Sequence, residues 1–421
     1  IEGGELPQVP PGECAFTAAE QGQARNLLIQ STILTADDTL ESGAVLIDLS
    51  QDNGRILCVG CDCEGMADSS TARLVCPDAV VSPGLINPHD HLGWATANPV
   101  APVNNERYEH RHDWRKGRRS HTRISAGGSD NSASAVLVGE LRMLMSGTTS
   151  IAGSSNATGL LRNLDDARDN EGLGDQYADY RTFPLGDSDG GLHADGCDNY
   201  DIDNPSRLNS HIYLPHVSEG IDPEAQNEFA CLSGAAAGSR DLLAENTSII
   251  HGVGLTPGDI LSVATEGAKL VWSPRSNVQL YGHTASVLSY KNAGVTIALG
   301  TDWIPSGSMN MLRELQCADQ LNTNNFGEAF TDRELWQMAT KNGAIAMGVS
   351  DKLGYIEEGY IADIVIYQAG GRSPYRAVLE ASPEQVSLVL RGGVALYGDE
   401  AIINGLQPQG CETEDVCGMS K

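Results

Sequence analysis

Apolar and polar residues alternate in short blocks at both ends of the chain and in longer, less regular blocks between them. Between 25 and 60, the runs NLLIQSTILTA, GAVLIDLS and GRILCVG are separated by Asp and Gly turns. Short apolar runs rich in β-branched residues predict strands. The same texture returns at GYIEEGYIADIVIYQ (354–368) and VSLVLRGGVALYGD (386–399). Two β-rich ends around a different middle predict one small β-sandwich domain built from both termini. In the middle, AVVSPGLINPHDH, TTSIAG, RTFPLGD, HIYLPHVSEG, TSIIHGVGL, KLVWSPRSN and VTIALGTDW each predict a buried strand ending in polar residues. Helix-like stretches such as SASAVLVGELRMLMSG (132–147) and PEAQNEFACLSGAAA (223–237) lie between some of them. Repeated strand–helix units imply parallel strands, and seven or eight in a row imply an α/β fold of the (β/α)8 TIM-like barrel type. The expected division is a flexible tail at 1–22, the small β domain at 23–80 and 351–405, a barrel at 81–350, and a C-terminal tail at 406–421.

Composition narrows the function classes. The length of 421 residues suits one large barrel plus an accessory domain. No run of 18 apolar residues occurs, so no membrane span is expected. A formal net charge of −29 opposes binding to nucleic acid or to anionic membranes. Only 6 of the 27 basic residues are Lys, a pattern that fits a salty habitat and fits plain composition bias equally. Ten cysteines sit mostly in polar contexts, an even count that favours disulfides in an oxidising compartment. A zinc site on Cys58, Cys61, Cys63 and Cys76 is the rival reading, but C-x2-C-x-C lacks the second pair of a zinc ribbon. With a first residue Ile1 rather than Met, a periplasmic or secreted protein is expected, with a cytoplasmic one as the alternative.

The chemistry gathers at strand ends. His89 and His91 stand one residue apart, and on a strand such residues face the same side. His216 closes HIYLPH, His251 closes TSIIH, and Asp302 closes TIALGTD. In a barrel of this kind the catalytic groups sit at the C-terminal ends of strands. Imidazoles with a carboxylate form a ligand set suited to zinc or ferrous iron.

These motifs resemble those of the amidohydrolase superfamily. VVSPGLINPHDH resembles its first barrel strand, HVSEG its fifth-strand HxxE, IIHG its sixth-strand His, and LGTDW its eighth-strand Asp. GYIEEGYIADIVI resembles the segment by which such chains return to their small β domain, so the likeness covers about residues 25–400. The nearest branch holds cytosine deaminase, adenosylhomocysteine deaminase and the triazine hydrolases. That resemblance implies one divalent metal, zinc or alternatively iron, on His89, His91, His216 and Asp302, with His251 beside it. The superfamily's two-metal branch bridges its ions with a carboxylated Lys, and this chain has no Lys between Lys116 and Lys269. The implied catalytic residues are Glu219, His251 and Asp302. Asp302 takes a proton from water, Glu219 passes one to a leaving nitrogen, and His251 polarises the substrate or holds the attacking water.

The substrate is less legible. Between Glu106 and Arg123 stand six Arg and one Lys against three acids, a basic island in an acidic chain. Arg111 and Arg115 in this loop are candidates to grip an anionic small molecule; pairing with the protein's own acids is the bland alternative. Trp94, Arg275, Asn277, His283 and Trp303 follow strand ends and are further candidates to line the pocket. The acidic loop DSDGGLHADGCDNYDIDN (187–204) lacks EF-hand spacing and reads as a solvated loop, tied at Cys197, with Asp187 ending a strand. Three functions compete: a deaminase-like C–N hydrolase; an amidase, lactamase or dehalogenating hydrolase on the same scaffold; and a non-catalytic extracellular binding protein. A proton shuttle at Glu219 argues against the last. Self-association into a homo-oligomer is left open.

Overall fold

A computed structural model describes residues 9, 10, 12–20, 22–49, 53–101, 105–407 and 410–421. The N-terminal part forms β1 (Ala15–Thr17), β2 (Asn26–Leu34), β3 (Thr39–Asp48), β4 (Ile56–Val59) and β5 (Thr71–Pro83). The middle forms β6 (Leu85–Asn87), β7 (Thr148–Ile151), β8 (Arg162–Asn163), β9 (Ala178–Arg181), β10 (Ile212–Val217), β11 (Ser248–His251), β12 (Lys269–Trp272) and β13 (Ile297–Leu299). Near the C-terminus come β14 (Ile364–Gln368), β15 (Val386–Arg391) and β16 (Val394–Gly398).

Strands from both ends pair into one eight-stranded sheet of order β16-β15-β14-β5-β2-β3-β4, with β1 also on β5. The two-layer sandwich expected from the sequence is therefore replaced by a single mixed sheet. The cause is β5, thirteen residues long, which pairs β1 along Arg73–Val75 and β14 along Ala79–Pro83 on one flank and β2 on the other. One continuous strand thus joins the two ends of the chain edge to edge. Its faces are buried among Leu27, Ile29, Ile33, Val81 and Ile364.

The middle strands form two parallel sheets, β6-β7-β8 and β9 to β13 in chain order. The sheets meet at both edges. Ala178 N–H donates to Leu164 O at 2.8 Å, and Asp302 N–H donates to His89 O at 3.0 Å beside a parallel bridge between Asp90 and Asp302. Two strands differ from expectation. The two-residue β8 is too short to leave a sequence signature. β9 ends at Arg181 rather than running through RTFPLGD, because Pro184 has no N–H to pair and the chain turns at Gly186 (φ 70°). Asp187 accordingly does not end a strand.

Helices on the connections start where the caps place them. These are α1 (Arg111–Lys116), α2 (Ala133–Leu144), α3 (Pro223–Leu232), α4 (Pro257–Thr265) and α5 (Pro274–Tyr281). Asp222 caps α3 through Ala225 N–H, and Thr256 and Asp259 form a capping box on α4; both helices have Pro in the first turn. His110 caps α1 in the same manner with Asp113.

Neither tail is simply loose. Residues 1–8, 11 and 21 lie outside the described residues, but β1 pairs with β5 and a Cys14–Cys76 disulfide fastens the same segment. At the other end Lys421 is buried, donating to Val386 O at 2.9 Å and pairing with Asp399 at 2.5 Å. Cys58–Cys63 and Cys197–Cys231 are also bonded, while Cys61, Cys317, Cys411 and Cys417 are free. Three of the four cysteines of the alternative zinc site are thereby consumed. The acidic loop is tied, as its cysteine suggested, to α3.

Candidate metal centre and active site

The strand ends converge as the spacing required. His89 Nε2 and His91 Nε2 lie 3.4 Å apart, and Asp302 Oδ1 lies 3.7 Å from the first and 3.6 Å from the second. An ion with four ligands at about 2.1 Å holds its ligand atoms roughly 3.4 Å apart. His216 Nε2 is buried with no hydrogen-bond partner, while its Nδ1 donates to Arg181 O at 3.1 Å. An imidazole nitrogen aimed without a partner at neighbouring donor atoms is what an ion would satisfy. His89 Nδ1 is likewise engaged, 3.1 Å from Ser273 Oγ. Burial, with the neighbouring imidazoles, holds His89 and His216 well below the ordinary imidazole range, and burial alone brings His91 to about 4. All three are therefore neutral, the form that ligates. The donor set fits a divalent ion.

The approach is tight and strained. A Cβ at Gly300 would meet the His89 Cβ at 2.6 Å, so only glycine lets β13 pass this close to β6. Asp302 (φ 58°), His251 (φ 76°) and Ser218 (φ 54°) hold left-handed backbone without being glycine. Such strain gathers at functional sites.

His251 belongs to the same cluster but carries its proton differently. The Trp272 indole can only donate, and it donates to Thr284 Oγ1 at 2.6 Å. Thr284 then donates to Asn277 Oδ1 at 3.3 Å, which turns the Asn277 amide N–H toward His251 Nδ1, 3.4 Å away. Nδ1 is thus the acceptor, and the remaining proton sits on Nε2, 3.5 Å from Glu219 Oε2. Glu219 also accepts from Tyr281 OH at 2.8 Å. Burial raises the Glu219 carboxyl to about 7 against the pull of Arg111, and burial with the nearby Glu219 raises Asp302 to about 7. A buried carboxyl raised toward neutrality beside an imidazole donor, as Glu219 is beside His251, suits proton transfer at working pH.

The comparisons with known proteins agree with this geometry. The "Amidohydrolase family" description matches residues 214–407. Over that stretch, just under half of its length, the chain is similar to the amidohydrolase family. It is 28% identical over 371 residues to a 5-methylthioadenosine/S-adenosylhomocysteine deaminase of Halobacterium salinarum, covering 79% of this chain and 82% of that one. A Thermococcus onnurineus protein of the same name matches at 40% over 121 residues, 28% of each chain. Among solved structures, a zinc-bound atrazine chlorohydrolase from Arthrobacter aurescens superposes with a TM-score of 0.60 at 20% identity, over 92% of this chain and 97% of the other. That likeness bears on the fold.

On the substrate side of the site the expectations divide. A cavity of about 320 Å³ opens over the cluster. Trp94, Trp303, Arg111 and Arg115 line it, as the sequence suggested, together with Glu219 and His251. Arg275 and His283 do not; both are exposed elsewhere. On α5 the helical period turns Ser276 and Asn277 inward and Arg275 outward, and His283 follows the Gly282 that ends the helix (φ 63°). Asn277 is buried behind His251 and sets its tautomer rather than lining the cavity. Sequence reasoning overlooked Trp114, Thr182 and Phe183 on the wall, and Tyr281 and Tyr180 behind it. Trp114 stood inside the basic loop and was overlooked among its charges. Three of the five tryptophans of the chain wall this one cavity.

Arg111 has a different role from the one its charge suggested. It is 1% exposed, 2.5 Å from Asp187 and 3.5 Å from Glu228. Glu228 Oε2 accepts Ser218 N–H at 2.8 Å, and Arg111 N–H donates to Glu219 O at 2.9 Å. Arg111 and its two acids therefore clamp the strained turn that carries Glu219. The flanking His110 and His112, with Glu228, superficially form a second metal-like cluster. However, His110 Nδ1 accepts His112 N–H at 3.1 Å, which puts the proton of the neutral ring on Nε2, 3.2 Å from Glu228 Oε1 but without a hydrogen bond to it. His112 Nδ1 accepts from Arg115 at 2.8 Å and Nε2 donates to Asp187 at 2.7 Å. Neither imidazole has a lone pair left for an ion.

Proposed function

We propose that this chain uses one divalent metal to hydrolyse a C–N bond of an amidine or amide type in a small planar molecule, releasing ammonia or an amine. What carries the reading is the convergence, beside one aromatic-walled cavity, of a His/Asp donor set, in which His216 Nε2 has no partner, with a Glu219–His251 pair. His89, His91, His216 and Asp302 would hold the ion; zinc is favoured, since a similar solved structure carries it, with iron as the alternative. Such an ion supplies Lewis acidity and makes water acidic enough to act as a nucleophile near neutral pH. Asp302 Oδ2 accepts from Ser276 at 2.5 Å, which holds the carboxylate in place to take the proton of the attacking water. The new bond joins the water oxygen to an sp² carbon. The electron pair displaced from that carbon goes to its double-bonded N or O, which accepts from His251 Nε2–H, and as the pair returns the C–N bond breaks with Glu219 delivering a proton to the departing nitrogen. The chlorohydrolase neighbour keeps a halide-releasing reading in view. A halide leaves without a proton, whereas a carboxyl that titrates at about 7 suits a nitrogen that needs one.

The two parallel sheets are read as the (β/α)8 barrel over 81–350, with 23–80 and 351–405 as the β unit around it. Three disulfides favour an oxidising compartment, periplasmic or secreted. No helix among the described residues is long and apolar enough to cross a membrane. The test is ammonia release across purines, pyrimidines, amidines and cyclic amides, repeated with Glu219→Gln. The variant should lose roughly 10²–10⁴ in kcat with unchanged metal content. An unchanged rate removes Glu219 from the mechanism, and halide release without ammonia release removes the C–N reading.

A further inference from the structure

Of the two arginines that line the reaction cavity, Arg111 is matched to acids and Arg115 is not. Arg111 holds Asp187 and Glu228, and Arg119 holds Asp113 and Asp222. Arg115 is half-buried, lines the cavity with Glu219, His251 and Asp302, and forms no ion pair among the described residues. Its two hydrogen bonds go to neutral acceptors, His112 Nδ1 at 2.8 Å and Ser188 O at 3.3 Å. A guanidinium has five N–H donors, so three remain. The plane is not free to swing, because it lies 4.2 Å over the Phe183 ring and its hydrogen bonds are to a buried network.

We infer that Arg115 is a specificity residue that binds a single carboxylate on the substrate, inside the aromatic-walled cavity. This rests on reading the cavity as the reaction site. Taking a cation partly out of water without a counter-charge is costly, and a carboxylate brought in by the ligand removes that cost. Burial, with the neighbouring Arg111, holds the Arg115 guanidinium down to about 10 against the pull of Asp187, Glu219 and Glu228, none of which it pairs with directly. A monoanion fits better than a phosphate. Among the residues that wall the cavity, Arg115 is the one cation without its own acid, and Glu219 and Asp302 oppose a second negative charge. The planar fork of the guanidinium also matches the planar carboxylate in shape.

The test uses the metal-loaded full chain and two ligands that cannot be hydrolysed: benzoate, and its neutral isostere nitrobenzene. Calorimetric titration should show benzoate binding about 10- to 100-fold more tightly than nitrobenzene. Arg115→Gln should erase that preference while nitrobenzene affinity, metal content and thermal unfolding stay near the parent's. Arg115→Lys should retain part of the preference and keeps the test open should the Gln variant fold poorly. A preference that survives Arg115→Gln shows that the carboxylate goes to the metal and overturns the inference. Equal or unmeasurable binding of both ligands to the parent overturns it too. Because neither ligand reacts, a failed ammonia screen and a failed benzoate preference remain separate results.

Discussion

Replacing Arg111 by Met separates structural charge from ligand-binding charge. The guanidinium is 1% exposed and its two acids are 1% and 0% exposed at the side chain, so solvent does little to screen them. At an effective dielectric of about 20, each charge pair at roughly 4 Å is worth about 4 kcal/mol. Much of that offsets the desolvation of three ions. Removing the cation alone leaves two buried carboxylates uncompensated, and the net loss expected is about 3–5 kcal/mol near neutral pH. In the parent, burial pushes Asp187 and Glu228 up, but Arg111, with His112 and His110, outweighs it and leaves both below the ordinary carboxylate range. A depressed folded pKa contributes stability that is present above the unfolded value of about 4 and lost as pH falls below it. In Arg111→Met burial is opposed only by His112 and His110, so the same carboxyls take up protons at a higher pH than they do in the parent. The variant should then recover relative to the parent on acidification. Urea unfolding of both proteins at about pH 7.5 and about pH 5 should show a gap that is largest at the higher pH. A loss below about 1 kcal/mol, or a gap independent of pH, would refute the clamp. Arg115→Gln, which removes no carboxylate's partner, should cost no more than about 1 kcal/mol.

Three further outcomes rest on the same structure. Thiol titration of denatured, unreduced protein should find the four free cysteines Cys61, Cys317, Cys411 and Cys417; ten titrating thiols would dismiss the disulfides. Removing the Cys197–Cys231 bond, which spans 34 residues and ties the Asp187 loop to the helix bearing Glu228, should cost about 4 kcal/mol by loop entropy. Elemental analysis should find one zinc or iron per chain, and chelation should lower the melting temperature; two metals per chain would contradict the single-ion centre.

The parts of this site that were legible from sequence share a cause. A strand shows its period-2 pattern in a few residues, and a parallel strand delivers its last residue to a common rim. His89, His91, His216, His251 and Asp302 could therefore be placed from spacing alone. Residues beyond the strand ends could not, because a loop's path depends on tertiary contacts. Arg275 and His283 followed a strand as closely as Asn277 did, yet one helical turn sent Arg275 out and Asn277 in. Phe183 and Thr182 were hidden inside a stretch that looked like strand. The sandwich was misread because apolar alternation shows that a strand has a buried face and is silent on its partner; β5's length decided that.

Residue type also said little about what each histidine does, and the structure shows why. An imidazole has two nitrogens, and whichever bond fixes one determines the service of the other. Arg181 O takes the Nδ1 proton of His216 and leaves Nε2 as a ligand. Asn277 fills Nδ1 of His251 from the opposite side and leaves Nε2 as a donor toward Glu219. His112 is filled at both nitrogens and only transmits charge between Arg115 and Asp187. All three are buried, all three stand within reach of acids or other imidazoles, and one of them, His112, belongs to an HxH pair. What separates a metal ligand, a proton donor and a strut is the second hydrogen bond. That bond comes in each case from a residue distant in sequence: 35 positions for His216, 26 for His251 and 75 for His112. Pattern along the chain locates such a site; the roles inside it are set by contacts that only folding brings together.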